Sequence, residues 1–275
     1  MRTAVVGHLE WTDFLPVERL PRRGEILETT ESFAEPAGGG AVASVQLARL
    51  AGDCTFLTAV GDDALAAPTE ERLAELGVRA AAVRRTEPTR RAFVYLDEGG
   101  ERTITTIGER IHPRRDDDGL PWEALEQADA VYFVAGDAEA LRAARSARVL
   151  VATARIGSLL AGAGVQLDAV VGSARDAAEA HRAIEPPPRL VVRTEGADGG
   201  SWSVPGGAGG RWSAAELPGP PRDAYGAGDS FAAGLTFGLG DGRDVAGALE
   251  LAARCGAKCM TGRGPYERQL LRSDL

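Results

Sequence analysis

The segment from Asp223 to Asp229 contains the residue types that phosphoryl transfer requires. Three small residues, Gly226, Ala227 and Gly228, come directly before an apolar helical pattern, and Asp229 follows them. Unhindered backbone amides at a helix N-terminus bind anions, and the helix dipole adds to this attraction. A carboxylate in the first turn is stabilised by the same dipole, so we expect Asp229 to be ionised and able to accept a hydroxyl proton. The structural alternative is a plain glycine turn followed by a helix.

The basic residues restrict how this chain can bind phosphate. Among its 31 basic residues there is a single lysine, Lys258, and no Gly-Lys-Ser/Thr tripeptide, which excludes a P-loop. The three histidines and three cysteines are scattered and lack the CxxC or HExxH spacing of metal sites. If this protein binds phosphate, it must therefore do so with backbone amides, Mg²⁺ and arginine.

Length and charge narrow the classes of partner. The chain has 275 residues, a formal net charge of −9 and 44% hydrophobic residues, which suits a globular protein with a large core. The acidic balance argues against a nucleic acid or an anionic membrane as partner. Glu10 and Asp13 interrupt the region where a signal peptide would be apolar, and sparse cysteines fit a reducing compartment, so we expect a cytoplasmic protein.

Apolar runs and helical patterns alternate along most of the chain, which predicts an α/β fold with a parallel sheet covered by helices. The pattern predicts a strand at 3–7, a helix at 38–52, a strand at 54–60, a helix at 64–76, a hairpin at 91–97 and 102–107, alternating elements from 121 onward, and final helices at 229–238 and 243–260. Without repeats or long linkers, the whole chain, 1–275, is expected to form one domain.

Several motifs resemble those of the ribokinase-like (PfkB) carbohydrate kinases. DAYGAGDSFAAG (223–234) is similar to the family signature D-T-x-G-A-G-D-x-F, and four other segments occur in the family's order: GGGAVASVQLARLAG (38–52), AVGDD (59–63), LDEGGERTI (96–104) and TEGADGG (194–200). The resemblance covers about residues 3–265. It implies a ribokinase-like, parallel-rich sheet sandwiched by helices, with a small β lid from about 10–36 and 89–107. It also implies an ATP- and Mg²⁺-dependent kinase acting on a hydroxymethyl group of a sugar, sugar derivative or nucleoside.

The resemblance assigns roles to individual residues at the catalytic and nucleotide sites. Asp229 would be the general base, with an anion hole formed by Gly226, Ala227 and Gly228. The nucleotide loop would be formed by Thr194, Gly196 and Gly199.

The metal positions match the family less closely. Ser173 and Asp176 stand where the family has N-x-x-E, so Asp176 keeps a hard oxygen ligand for Mg²⁺ while Ser173 is shorter than asparagine. Asp223, Tyr225 and Gly264 match positions around a monovalent cation, which implies K⁺ as a further cofactor.

The substrate end departs most from the family. The resemblance implies a substrate site at Glu10, Thr12, Asp13, Gly38, Gly39 and Gly40, but Thr12 replaces the aspartate of ribokinase and Val42 the usual asparagine. These changes put ribose itself in doubt. Trp11 is a candidate for stacking on a ring.

Three arginines of the predicted lid, Arg90, Arg91 and Arg102, form either a clamp for a substrate anion or a solvated surface.

Two other functions and a dimeric assembly are also considered for this sequence. The same fold would also suit a non-catalytic sugar or nucleotide binder, although the intact GAGD segment argues against it. A dinucleotide fingerprint at Gly38–Gly40 is excluded because the first strand ends about thirty residues earlier. Exposed lid strands have unpaired edges, so a homodimer formed through the lid is expected.

Overall fold

The computed structural model describes residues 1–29, 31–180 and 182–275; Thr30, in the predicted lid segment, and His181 lie outside the described residues. The strands are β1 (Thr3–Val6), β2 (Glu10–Pro16), β3 (Phe33–Ala37), β4 (Cys54–Gly61), β5 (Arg79–Arg85), β6 (Arg91–Leu96), β7 (Arg102–Ile107), β8 (Ala130–Phe133), β9 (Val149–Thr153), β10 (Ala169–Ser173), β11 (Val191–Thr194), β12 (Gly200–Ser203) and β13 (Gly209–Trp212). The α-helices are α1 (Gly38–Ala51), α2 (Ala66–Glu75), α3 (Glu123–Glu126), α4 (Ala138–Ala144), α5 (Gly157–Ala163), α6 (Ala227–Gly240) and α7 (Val245–Cys259). Short 3₁₀ helices cover Ala154–Ile156, Ala177–Glu179, Gly196–Asp198 and Arg272–Asp274.

Nine strands form the large sheet, in the order β13-β12-β11-β10-β9-β8-β1-β4-β5. The pairs from β11 to β5 are parallel, while β12 and β13 run antiparallel at one edge. This arrangement confirms the predicted parallel-rich sheet. Strand β5 at the other edge, with the sequence RAAAVRR, was not predicted.

The large sheet is buried on both faces, as its apolar strands require. In β1, Val5 packs into a cluster with α1, α6 and α7, while Ala4 and Val6 pack into a second cluster with α3, α4 and α5. Successive side chains of a strand point to opposite faces, so helices cover both sides of the sheet. The fold is therefore a three-layer α/β sandwich.

Helices α6 and α7 pack closely because α6 presents glycines to its neighbour. A methyl group at Gly234 would lie 2.7 Å from Cys255 Sγ, and one at Gly238 would lie 2.9 Å from Ala248 Cα. Cys255 and Cys259 are fully buried, as expected for core residues. This packing anchors α6, whose N-terminal end carries Asp229.

A second, four-stranded sheet has the order β3-β2-β6-β7 and is called the small sheet below. Its central strands β2 and β6 are parallel, and β7 is an edge strand whose six residues are all exposed. Thr89 joins the small sheet to the end of β4, because Asp63 accepts hydrogen bonds from Thr89 N at 2.7 Å and from its hydroxyl at 3.0 Å. None of the described helices is both long and apolar enough to cross a membrane.

Candidate functional site

Two glycine-rich helix N-termini meet at the carboxyl end of the large sheet. α1 begins at Gly38 and α6 begins at Ala227. A methyl group at Gly39 would lie 2.9 Å from Asp229 Oδ1, so the Asp229 carboxylate rests against the first turn of α1. Ligands of open α/β sheets bind at this end of the strands. The structure therefore brings the predicted glycines of both segments together around Asp229.

Asp229 is partly buried, and its acidity differs from the sequence-based expectation. Burial raises the pKa of the Asp229 carboxyl to about 6, against 3.8 for an unperturbed aspartate. Arg102 and Arg155 lower this pKa, whereas Glu179 and Glu10 raise it. The helix dipole led us to expect a strongly ionised carboxylate, but loss of hydration outweighs the dipole.

The backbone amides beside Asp229 differ in whether they are hydrogen-bonded within the protein. Among the described residues, no acceptor is found for the amides of Gly228 and Asp229. The amide of Ala227 instead donates to the carbonyl oxygen of Ala224 at 3.4 Å. Gly226 has a φ of 80°, a conformation that favours glycine, and it directs the chain into α6. The amides of Gly226, Gly228 and Asp229 are therefore free within the described residues, whereas that of Ala227 is engaged.

Glu10, Tyr225 and Gly38 form a hydrogen-bonded group next to Asp229. The Gly38 amide donates to the Tyr225 hydroxyl at 3.1 Å, and that hydroxyl donates to Glu10 Oε1 at 3.5 Å. Burial raises the pKa of Glu10, while Arg90 and Arg110 lower it. The Tyr225 side chain therefore belongs to the predicted substrate end.

The predicted substrate residues of β2 lie on two opposite faces of the strand. Glu10 and Thr12 point inward, and Thr12 is completely buried with a hydroxyl that makes no hydrogen bond to any described residue. Asp13 points to the opposite face, where it binds Arg91 at 2.8 Å. The alternation of a strand excludes Asp13 from the site that holds Glu10. Trp11 shares the face of Asp13, so it does not lie beside the glycines of α1.

His8 is a buried neighbour of this group. A methyl group at Gly38 would lie 3.5 Å from His8 Cδ2, and His8 Nδ1 has no hydrogen-bond partner among the described residues. Burial lowers the pKa of His8 well below its usual value, and Arg110 and Arg90 lower it further. His8 is therefore a neutral imidazole at physiological pH.

Asp176 and Glu179 share one arginine at the end of β10. Arg155 Nη2 lies 2.6 Å from Asp176 Oδ2 and 2.6 Å from Glu179 Oε1. Glu179 also accepts the Ser173 amide at 2.6 Å, and the Ser173 hydroxyl accepts the Arg175 amide at 3.1 Å.

Sequence reasoning found Asp176 but missed Arg155 and Glu179, both of which act on the Asp229 pKa. Glu179 stands only three residues after Asp176, so a search for nearby carboxylates would have found it. Arg155 lies on another connection and has no such local signal.

Asp223, Tyr225 and Gly264 are brought together as predicted. The buried Asp223 carboxylate accepts the amides of Tyr225 at 2.8 Å and Gly264 at 3.0 Å, and burial raises its pKa. These bonds join the loop before α6 to the loop after α7. No cluster of three or more histidine, cysteine or acidic side chains suited to a metal ion occurs in the described part of the chain.

The predicted nucleotide loop follows β11. Thr194 pairs with Ser173 across two parallel strands, and Gly196 and Gly199 have φ values of 67° and 77°. A methyl group at Gly199 would lie 2.1 Å from the carbonyl oxygen of Trp212, so only glycine fits there.

A cavity of about 390 Å³ adjoins this loop, between the β12–β13 pair and α7. It is lined by Trp202, Arg211, Trp212, Ser213, Ala214, Ala215, Ala246, Leu249, Glu250, Ala253 and Arg254. Trp212 stacks on Phe231 with ring centroids 5.6 Å apart, and Phe231 lies two residues after Asp229. The cavity is large enough for an aromatic ring system, and its lining residue Trp212 contacts α6 through Phe231.

The hairpin of the small sheet contacts the loop before α6. The Ala224 amide donates to the carbonyl oxygen of Gly100 at 3.1 Å, and Arg102 Nη1 donates to that of Ala224 at 3.3 Å. The positive charge of Arg102 lowers the pKa of Asp229.

The site thus combines a carboxyl with a pKa of about 6, free helix amides, arginines and a neighbouring cavity. Such a site can accept a proton while its amides and arginines bind negative charge.

Comparison with known proteins agrees with this arrangement. The sequence profile of the pfkB family carbohydrate kinases matches residues 2–157 and 138–270. An ATP-dependent ribose-1-phosphate kinase from Halopiger xanaduensis is 29% identical over 94% of this chain and 91% of its own. A ribokinase from Dictyostelium discoideum is 29% identical over 106 residues, which are 38% of this chain and 33% of the relative. The crystal structure of Thermotoga maritima ribokinase superposes with a TM-score of 0.78 at 19% identity, covering 99% of this chain and 97% of that one. The chain belongs to the pfkB family of carbohydrate kinases, which are phosphotransferases with an alcohol group as acceptor.

Proposed function

We propose that this protein transfers the γ-phosphoryl group of ATP to a hydroxymethyl group of a sugar, sugar derivative or nucleoside, with Asp229 as general base. The observation that carries the proposal is the Asp229 carboxyl, which has a pKa of about 6 and lies beside the free amides of Gly228 and Asp229. Membership of a carbohydrate kinase family supports phosphoryl transfer, and the name of the Halopiger relative supports ATP as donor.

In the proposed reaction, the acceptor hydroxyl gives its proton to the Asp229 carboxylate. The acceptor oxygen then bonds to the γ-phosphorus while the bond from that phosphorus to the ADP oxygen breaks. With a pKa of about 6, Asp229 is about nine-tenths ionised at pH 7, and its conjugate acid releases the proton readily. A positioned base of this kind contributes ~10²–10⁴-fold in rate.

The amides of Gly228 and Asp229 would bind the charge on the transferring group. They stand at the N-terminus of a fourteen-residue helix, where the dipole favours an anion. Arg102, which lowers the Asp229 pKa and contacts the loop before α6, would add positive charge near the transferring group.

Asp176 and Glu179 are the residues that would hold Mg²⁺. Both present hard carboxylate oxygens, and Mg²⁺ needs one or two of these in addition to water and substrate phosphates, so the donor set fits. When bound, Mg²⁺ neutralises charge on the ATP phosphates. Arg155 keeps the two carboxylates together. The backbone amide of Ser173 donates a hydrogen bond to Glu179, so Ser173 acts on this group through its backbone and not through its hydroxyl.

The nucleoside of ATP would occupy the cavity beside the Thr194–Gly199 loop. Trp202 and Trp212 give this cavity an aromatic lining, and Gly199 lets the backbone approach closely. The acceptor would lie beside Asp229 among Glu10 and the amides of Gly39 and Gly40 at the start of α1. The Gly38 amide donates to the Tyr225 hydroxyl, and that hydroxyl in turn positions Glu10.

Potassium is also part of the proposal. Asp223 ties the Tyr225 and Gly264 loops together, which would order their backbone around a monovalent cation. Activity in KCl against activity in tetramethylammonium chloride tests this point.

The small sheet, built from about 10–36 and 89–107, would act as the lid of a single 1–275 domain. Its outer face carries Trp11, Phe93, Tyr95 and Ile107, and its edge strand β7 is unpaired within the described residues. A homodimer through this face would cover both features. Light scattering of the wild type and an Ile107→Glu variant tests the dimer.

The test of function is a transfer assay with ATP and Mg²⁺ across pentoses, hexoses, nucleosides and pentose phosphates, with ribose 1-phosphate included because of the Halopiger relative. We expect one acceptor class to be phosphorylated and Asp229→Asn to lower kcat by ~10²–10⁴-fold. Asp244→Asn is the matched control, because Asp244 caps α7 and asparagine caps a helix equally well. Acceptor binding without any transfer would identify a non-catalytic binder instead.

A further inference from the structure

The cavity beside the nucleotide loop has an aromatic floor on the β12–β13 hairpin. Trp202 of β12 pairs with Gly210, and Trp212 of β13 pairs with Gly200. Residues that pair across a hairpin share a face, so both indoles lie on the same side of it. A methyl group at Gly200 would lie 2.3 Å from Trp212 Cη2, and one at Gly210 would lie 2.9 Å from Trp202 Nε1. Each indole therefore lies over the glycine opposite it, which suits the floor to a flat aromatic ligand.

Three charged side chains also line this cavity, and two of them are engaged. Arg211 lies on β13, and Glu250 and Arg254 lie on α7. The Arg211 guanidinium donates to Glu195 at 3.2 and 2.6 Å, and Arg254 Nη2 donates to the carbonyl oxygen of Asp274 at 2.5 Å. The Glu250 carboxylate makes no hydrogen bond or ion pair within residues 1–29, 31–180 and 182–275. Glu250 is therefore the uncommitted charge of the cavity among the described residues.

The floor and the charge have different consequences for a bound base. Stacking on indoles binds every nucleobase, because each base has an aromatic face, so the floor gives affinity without identifying the base. Identity is read by hydrogen bonds at the edge of the base. The other α7 residues that line the cavity are Ala246, Leu249, Ala253 and the engaged Arg254. Glu250 is thus the lining side chain of α7 that is free to read the base.

A carboxylate selects among bases because it accepts hydrogen bonds and donates none. Guanine presents two neighbouring donors on one edge, N1–H and the N2 amino group, which match the two oxygens of a carboxylate. Adenine presents one amino group, flanked by ring nitrogens that are acceptors and that a carboxylate repels. Cytosine also presents a single amino group, and uracil a single ring N–H between two carbonyl oxygens. Because paired bonds to a charged acceptor are the strong ones, Glu250 favours guanine.

We propose that the nucleotide site prefers guanine to adenine, with Glu250 as the specificity-determining residue that accepts the N1–H and N2 amino hydrogens of the base stacked on Trp202 and Trp212. This inference rests on the proposed function and names its preferred donor, GTP. In the transfer, the acceptor oxygen bonds to the γ-phosphorus of GTP, the bond from that phosphorus to the GDP oxygen breaks, and the acceptor proton goes to Asp229.

The test measures the binding of GDP, ADP, IDP and CDP by calorimetry with Mg²⁺ present, so it requires neither turnover nor a known acceptor. IDP carries hypoxanthine, which keeps the N1–H of guanine and lacks its amino group. The variants are Glu250→Gln and the matched control Glu71→Gln. Glu71 is also an exposed helical glutamate, but it lies on α2 and does not line the cavity.

We expect wild type to bind GDP at least about tenfold more tightly than ADP or CDP, with IDP between GDP and ADP. Glu250→Gln should abolish this preference, because a glutamine amide both donates and accepts and can therefore pair with adenine. Its affinity for ADP should equal or exceed that of wild type. Glu71→Gln should leave all four affinities unchanged.

Binding of GDP by wild type that is no tighter than that of ADP would overturn the inference. A preference that persists in Glu250→Gln, or an equal loss for all four nucleotides, would remove Glu250 from the reading of the base. Transfer assays with ATP and GTP separate the two proposals. Transfer from ATP at least as efficient as from GTP refutes the guanine preference and leaves the kinase intact. Guanine-selective binding without transfer from either nucleotide refutes the kinase and leaves the role of Glu250 intact.

Discussion

Replacement of Asp229 by asparagine is expected to stabilise the ligand-free protein while it abolishes phosphoryl transfer. Asparagine keeps the shape of the side chain but removes a charge that burial makes unfavourable. Burial raises the pKa of Asp229 from 3.8 to about 6, which is about two units. At about 1.4 kcal/mol per unit, the ionised carboxylate lowers the free energy of unfolding by roughly 3 kcal/mol.

The stability gained by Asp229→Asn depends on pH, because the Asp229 pKa differs between the folded and unfolded states. Below pH 3.8 the carboxyl is protonated in both the folded and the unfolded state, so Asp229 costs nothing there. Above about pH 6 it is ionised in both states, and the folded state bears the full cost. The stability gained by Asp229→Asn should therefore grow between these two values and stay constant at higher pH.

The assay is urea unfolding of wild type and Asp229→Asn from about pH 4 to about pH 8, without nucleotide. We expect a gain near zero at the acid end and roughly 3 kcal/mol at the alkaline end, equivalent to a Tm increase of roughly 5 °C. Asp244→Asn, at the N-terminus of α7, should show no gain at any pH. A loss of stability in Asp229→Asn at the alkaline end, or a gain independent of pH, would refute the reasoning.

Two further predictions concern the environment of Asp229. In wild type, kcat/KM should rise about tenfold per pH unit below about pH 6 and level off above it. Glu179→Gln should move this inflection to lower pH, because Glu179 raises the Asp229 pKa. An inflection that stays in place in Glu179→Gln would contradict the assignment. Gly39→Ala should reduce kcat by at least ~10²-fold without unfolding the protein, because its methyl group would lie 2.9 Å from Asp229 Oδ1. Gly162→Ala is its control, since nothing lies within 4 Å of that position, and equal activities of the two variants would argue against the close contact.

The sequence predicted the layers of the fold because each layer has a local pattern. Apolar strands such as β1 and β4 and the helical periodicity of α1 and α6 are readable within a few residues. Strand β5 was missed because RAAAVRR at the sheet edge is mostly half-exposed and carries three arginines. Tertiary pairing, rather than local composition, makes it a strand.

The site was predictable where its residues are contiguous in sequence. The Gly226–Asp229 segment and the glycines at the start of α1 were found in this way, and the structure brings them into contact. The Asp229 pKa was not predictable, because burial depends on distant segments. Asp13 was misplaced because one residue of strand alternation moves a side chain to the other face.

The residues that sequence reasoning missed lie in different segments that follow different strands of the large sheet. Arg155 follows β9 and Glu179 follows β10, and they meet only when those strands pair.

Transfer of labelled γ-phosphate from ATP to the acceptor that wild type phosphorylates best, measured for wild type and Asp229→Asn at a pH of about 7.5, tests the central claim most directly. The account predicts a labelled, phosphorylated acceptor with wild type and at least ~10²-fold less with Asp229→Asn, while both proteins bind ATP with similar affinity. Transfer by Asp229→Asn within a few-fold of wild type would contradict the assignment of Asp229 as the general base.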